Sequence, residues 1–166
     1  MATSRVLFVN FVMLVLQTTV LAEFTVLGVS VDLVLLVAFS AGVVAGAQRG
    51  AVIGFTAGLA HDLVLESPFG LSALIGALVG FAVGSVPSLV DRSVRWVQML
   101  AAAGVSAAGV FAYAILGEML GKDYLSLDVA RIALVVGLLN GLLAPLGNRV
   151  LSWAVVDDAA VAEAIG

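Results

Sequence analysis

The only histidine, His61, is followed directly by Asp62 and then, one helical turn on, by Glu66. Asp62 and Glu66 are four residues apart and share a helical face, as a general acid and base would. Nothing around them supplies a nucleophile, an oxyanion donor or an apolar cleft, so no catalytic residue is expected. For a metal, the trio offers one imidazole and two carboxylates. Cysteine is absent, which excludes thiolate ligands, thiol nucleophiles and disulfides together. No metal and no cofactor is expected. The trio is read instead as hydrogen-bonding and capping the turn at Pro68, Phe69 and Gly70.

Asp32 opens an apolar run and reads as an interfacial acid at a helix N-terminus, with a binding role as the alternative. Gln17, Thr18 and Asn140 lie within apolar runs, where hydrogen bonds to neighbouring helices contribute roughly 0.6 kcal/mol each. Arg49 sits with Gln48 and Gly50 in a break between two such runs. Glu118 and Arg131 flank one loop as a candidate ion pair. Asp91 and Arg95, four apart, read as a solvated pair, or, through Arg92 and Arg95, as a contact for a cytoplasmic partner. Gln17, Asp32, Arg49, His61 and Asp62 are the polar candidates for function.

The elements that hold these residues follow from composition. Hydrophobic residues make up 63% of the 166 and charged residues 11%, against roughly 25% charge in soluble domains. So little charge, spread thinly, cannot cover a soluble fold, so lipid is the solvent. The net charge of −4 leaves no basic patch and excludes nucleic-acid binding. Alternation of the barrel type is absent, so helices must span. The fold class expected is an all-α integral membrane protein, a bundle of about six transmembrane helices.

Breaks in hydrophobicity place the spans at 6–22, 27–47, 51–65, 71–90, 97–120 and 129–156. The first reads as a retained helix and not a cleaved signal, being longer than a signal core of ~7–15 residues. Pro145 is expected to kink or end the last span, with the chain beyond it running along the surface. Residues 1–156 form one polytopic domain, and 157–166 a short acidic tail. Arg5, Arg49, Arg92, Arg95 and Arg149 fall on one side of this scheme, and only Lys122 and Arg131 on the other. The excess of arginine marks the cytoplasmic side, so both termini are expected there, with Trp96 and Trp153 at the same interface.

Burial of apolar surface does not drive association in lipid, so small residues must let backbones approach. Ser72, Gly76, Gly80 and Gly84 form one stripe at four-residue steps. Gly42 and Gly46, then Gly50, Gly54 and Gly58, form others, and the last span adds Ala133, Gly137 and Gly141. These stripes pack the bundle together, or one of them, on the fourth span, is an outward groove for a partner's helix.

The order of these motifs resembles the rod shape-determining protein MreD family. The resemblance rests on Gln17-Thr18-Thr19, Asp32-Leu33 before a Leu/Val run, Arg49-Gly50 followed by Gly54 and Gly58, Asp62-Leu63, and Pro68-Phe69-Gly70-Leu71 before Ala73-Leu74. Val31 stands where the family often has proline. The resemblance implies a non-enzymatic scaffold of the cell-elongation machinery in the bacterial inner membrane. Its partners would be MreC, MreB, RodA and a class B penicillin-binding protein. It also implies a fold similar to the substrate-binding S components of energy-coupling-factor transporters. A vitamin-binding S component is the competing function, although the first span lacks the small-residue stripe such proteins use to dock their transport partner. An intramembrane enzyme has only His61, Asp62 and Glu66 in its favour.

Overall fold

A helix that is apolar all round must be covered on every side, and the centre of this molecule is built on such a helix. The computed structural model describes residues 2–20, 25, 28–64, 69–86, 95–122, 124 and 128–155. Among them every element is helical: α1 (Ala2–Val15, continued by a π-turn over Leu16–Val20), α2 (Leu33–Val64), α3 (Leu71–Gly84), α4 (Arg95–Met119) and α5 (Asp128–Val155).

Asp32 starts α2 as its N-cap, its Oδ1 accepting the Leu35 N–H at 3.0 Å. The helix then folds back on itself. At Gly46 the backbone takes φ 78° and ψ −178°, a region open essentially to glycine alone. A straight helix would hold Ala38 and Gly54 about 24 Å apart. Instead, a Cβ built on Gly54 would lie 3.2 Å from the Ala38 Cβ, and one on Gly50 would lie 2.8 Å from the Gly42 Cα. Residues 33–45 and 47–64 are therefore two arms of a hairpin, back to back. The break expected at Gln48–Gly50 moves to Gly46, because Gln48, Arg49 and Gly50 continue the second arm as ordinary helix.

Every residue from Val34 to Val43 is buried. This first arm is the pillar around which the other helices stand. It meets α1 through Val37 and Ala41 against Val9 and Met13. It meets α4 where Leu35 fills the space beside Gly109, and α5 where Leu36 and Ser40 fill the space beside Gly147. The second arm runs antiparallel along α3, with Gly58 on Ser72, Gly54 on Gly76 and Gly50 on Gly80, backbone against backbone. α4 and α5 pair by the same device at Gly137 on Ala103 and Gly141 on Met99.

The outside is apolar as well. Phe8, Phe11, Phe55, Phe81, Phe111, Leu138 and Leu142 are all exposed, Phe11 by 64%, far beyond what a water-soluble monomer presents as contiguous patches. α2, α4 and α5 are long and apolar enough to cross a bilayer, and the shorter α1 and α3 are apolar too. The molecule is a membrane protein.

Two expectations about the spans change. α5 does not end at Pro145 but continues to Val155, and beyond the proline Leu151 and Ala154 are buried against α1 and the first arm. Lost backbone hydrogen bonding at one proline is tolerated where neighbouring helices surround the site. α3 ends at Gly84 with Ser85 as its C-cap, short of the Val90 boundary expected. Asp91, Arg92, Glu66 and the tail at 157–166 lie outside the described residues.

The two ends of the bundle differ in charge. Arg5 lies over the Trp153 ring, 5.2 Å from its centroid, which joins the start of α1 to the end of α5. Gly84 abuts Gly46 and Ala47, and α4 begins beside the end of its antiparallel neighbour α5. One end thus carries Arg5, Arg49, Arg95 and Arg149. The opposite end carries Asp32, Asp62, Glu118 and Asp128 with Lys122 and Arg131.

Candidate functional site

Folding α2 at Gly46 brings its first and last turns to the same end of the bundle. Asp32 and His61, far apart in the chain, thereby line one cavity of 530 Å³. The other polar walls are Gln17 from the π-turn, Ser30 just ahead of α2, Ser72 from the first turn of α3, Tyr113 from α4 and Arg131 from the first turn of α5. The rest is mostly aliphatic, including Val29, Ile75, Val110 and Val136.

Most of the polar walls have a definite local job. Gln17 donates from Nε2 to the Val31 carbonyl at 3.0 Å, and its Oε1 accepts the Leu33 N–H at 2.9 Å. This pair of hydrogen bonds fastens the end of α1 to the start of α2. A π-turn at this point is a common device for aiming a side chain at a site. The Asp32 carbonyl accepts from Asn140 Nδ2 at 2.9 Å, and the same amide donates to Ser106 Oγ at 3.0 Å. One fully buried asparagine therefore ties α2, α4 and α5 together just beneath the cavity. Tyr113 stacks on Tyr124 with centroids 5.9 Å apart, and Arg131 pairs with Asp128 at 3.4 Å. Glu118, expected as the partner of Arg131, accepts the Tyr124 N–H at 3.1 Å.

The His61-Asp62 pair divides its labour. Asp62, 3% exposed, turns to α3 and accepts three backbone donors. Its Oδ2 takes Gly70 N–H at 2.9 Å and Ala73 N–H at 3.2 Å, and its Oδ1 takes Ser72 N–H at 3.3 Å. Gly70, at φ 92°, supplies the left-handed turn that aims these donors. A carboxylate at a helix N-terminus also meets the positive end of the dipole. His61 faces the cavity instead, its Nδ1 3.5 Å from Ser72 Oγ, within electrostatic reach of Asp32. Among the described residues, no three histidine or acidic side chains converge as a metal site would require.

The small-residue stripe goes elsewhere. Gly76, Gly80 and Gly84 face the second arm and the hairpin bend, and Gly42 sits between them and Gly50, a Cβ there lying 2.7 Å from the Gly80 carbonyl. That face of α3 is filled by the same chain. Gly46 is the pivot, and Arg49 is exposed at the basic end, away from the cavity. Ser72 alone belongs both to the stripe and to the cavity wall. Sequence reasoning did not single out Tyr113, and weighed Arg131 as half of a surface pair and as a marker of topology, not as part of a site. An isolated tyrosine inside an apolar run carries no periodic signal of what it faces.

With this geometry in place, comparison with known families decides the relationship. Residues 2–146 match the family model of the rod shape-determining protein MreD. The chain belongs to the MreD family. The match begins in α1 and ends inside α5, so it covers the pillar, the glycine-paired hairpin and all of the cavity walls. Membership ties the chain to rod-shape determination and to the machinery that carries it out. No curated protein and no solved structure matches it.

Proposed function

We propose that this MreD-family chain is a non-enzymatic scaffold of the bacterial elongation machinery, holding MreC in the inner membrane and through it supporting lateral wall synthesis. The observation that carries the reading is the family match over residues 2–146. The architecture supports it. A pillar sheathed by helices, most of whose small-residue seams are closed within the chain, is a rigid body with a wide apolar exterior, which suits holding others in place better than chemistry. MreB, RodA and a class B penicillin-binding protein are the further partners the reading includes.

The proposal has six membrane crossings, counting the two arms of α2 separately, in a single domain over residues 1–156. The acidic tail at 157–166 and both termini lie in the cytoplasm. The end carrying Arg5, Arg49, Arg95 and Arg149 supports that orientation through the positive-inside rule, and Arg5 on Trp153 supports an even number of crossings. The likeness to S components is retained as a likeness of fold.

Depletion of the chain in its rod-shaped host tests the role. Cells should round up, and MreC should co-purify from native membranes in detergent. Rods that keep their width and length, with MreC absent from the purified material, would overturn the proposal.

A further inference from the structure

We propose that the cavity at the acidic end is a binding site for a small organic ammonium ion with an apolar body, its charged head on Asp32 and its ring or chain among Val29, Ile75, Val110 and Val136. The site goes beyond the scaffold role and does not depend on it.

The first ground is capacity. A cavity of 530 Å³ falls within the ~300–1,000 Å³ of small-molecule sites, which are mostly apolar with a few convergent polar groups. The wall here has that makeup, and its polar groups come from the π-turn, α3, α4, α5 and both ends of α2.

The second ground is which polar groups are still available. Gln17 is engaged at both ends of its amide, and the Asn140 amide nitrogen ties the helices beneath. Arg131, the cation on the wall, is held by Asp128. Asp32 differs. Its Oδ1 accepts the Leu35 N–H, and apart from His61, within whose electrostatic reach it lies, no cationic side chain among the described residues forms a salt bridge with it. Asp32 is half-buried, and a carboxylate partly withdrawn from water beside a mostly apolar wall is favoured by a cation or a strong donor. His61, on the same cavity wall, adds a ring nitrogen that can accept a hydrogen bond from the ammonium head.

The third ground is the aromatic wall. Tyr113 lines the same cavity as Asp32, and its stacking on Tyr124 holds the ring in place. A carboxylate together with a tyrosine ring favours an ammonium head, through the ion pair and the ring quadrupole. A carboxylate ligand would face Asp32 with the arginine already engaged, so it fits less well.

The test uses the full chain in lipid nanodiscs, with empty nanodiscs as the blank. Phenethylamine, phenethyl alcohol and hydrocinnamate, which share one apolar body, are titrated by saturation-transfer NMR. Phenethylamine should bind at least about tenfold more tightly than the other two, as expected where a half-buried charge is answered by an opposite one. Asp32→Asn should erase that preference while keeping the helix start, since asparagine caps as well as aspartate. Equal affinity for the three probes, no binding above the blank, or a preference that survives Asp32→Asn would each overturn the proposal. The three-probe comparison on the unaltered chain decides the matter even where Asp32→Asn does not fold.

Discussion

Asp62 and Asp32 are both acids at helix starts, yet they answer differently to the same substitution. The Asp32 carboxyl caps backbone donors of its own first turn, and asparagine can replace it. Asp62 takes three, with both oxygens engaged and almost no access to water. An asparagine there would turn its NH₂ toward at least one of those donors, and an alanine would leave all of them bare. Asp62→Ala should destabilise the protein by about 2–4 kcal/mol, combining a lost cap with unsatisfied buried donors. Asp62→Asn should be nearly as harmful, whereas Asp32→Asn stays within about 1 kcal/mol. Thermal midpoints in one detergent check the order. The capping role of this aspartate was legible in the sequence, because the Pro-Phe-Gly turn follows it so closely. What His61 faces was not, since its cavity neighbours come from every part of the chain.

At the scale of the element, glycines that look alike in sequence fall into separate classes. A Cβ on Gly76 would run into the Gly54 carbonyl, and one on Gly54 into Gly76. Backbone cannot yield as a side-chain tip does, so Gly76→Ala or Gly54→Ala should cost about 1–3 kcal/mol and separate the second arm from α3. Gly104 in the middle of α4 has nothing within 4 Å of its absent Cβ, and Gly104→Ala should instead stabilise by about 0.5–1 kcal/mol through helix propensity. Resistance to unfolding in graded SDS measures both, and a destabilised Gly104→Ala equal to Gly76→Ala would refute the distinction. The apolar spans were readable from hydropathy, and α4 and α5 fall within a residue or two of their expected limits. The bend in α2 was not readable. Gly42, Gly46, Gly50, Gly54 and Gly58 form an unbroken four-residue series, and nothing in such a series says which member leaves the helical region.

For the molecule as a whole, the basic and acidic ends predict a topology. A fluorescent reporter fused after Val155 should be bright, and alkaline phosphatase inserted after Gly121 should be active, each at the level of a correctly oriented control. A silent reporter after Val155 would invert or break the scheme. The same close spacing that joins α2 to α3 also constrains how the chain can change in length. Along these helices each four-residue step down one is met by a four-residue step up the other, at Gly58 and Ser72, Gly54 and Gly76, and Gly50 and Gly80. A residue gained or lost inside either helix would rotate every later contact by ~100°, replacing glycine with bulk all along the seam. A residue gained between the helices would rotate none of them. Insertions and deletions accepted during divergence should therefore be confined to the connections, leaving the helical stretches on either side fixed in length.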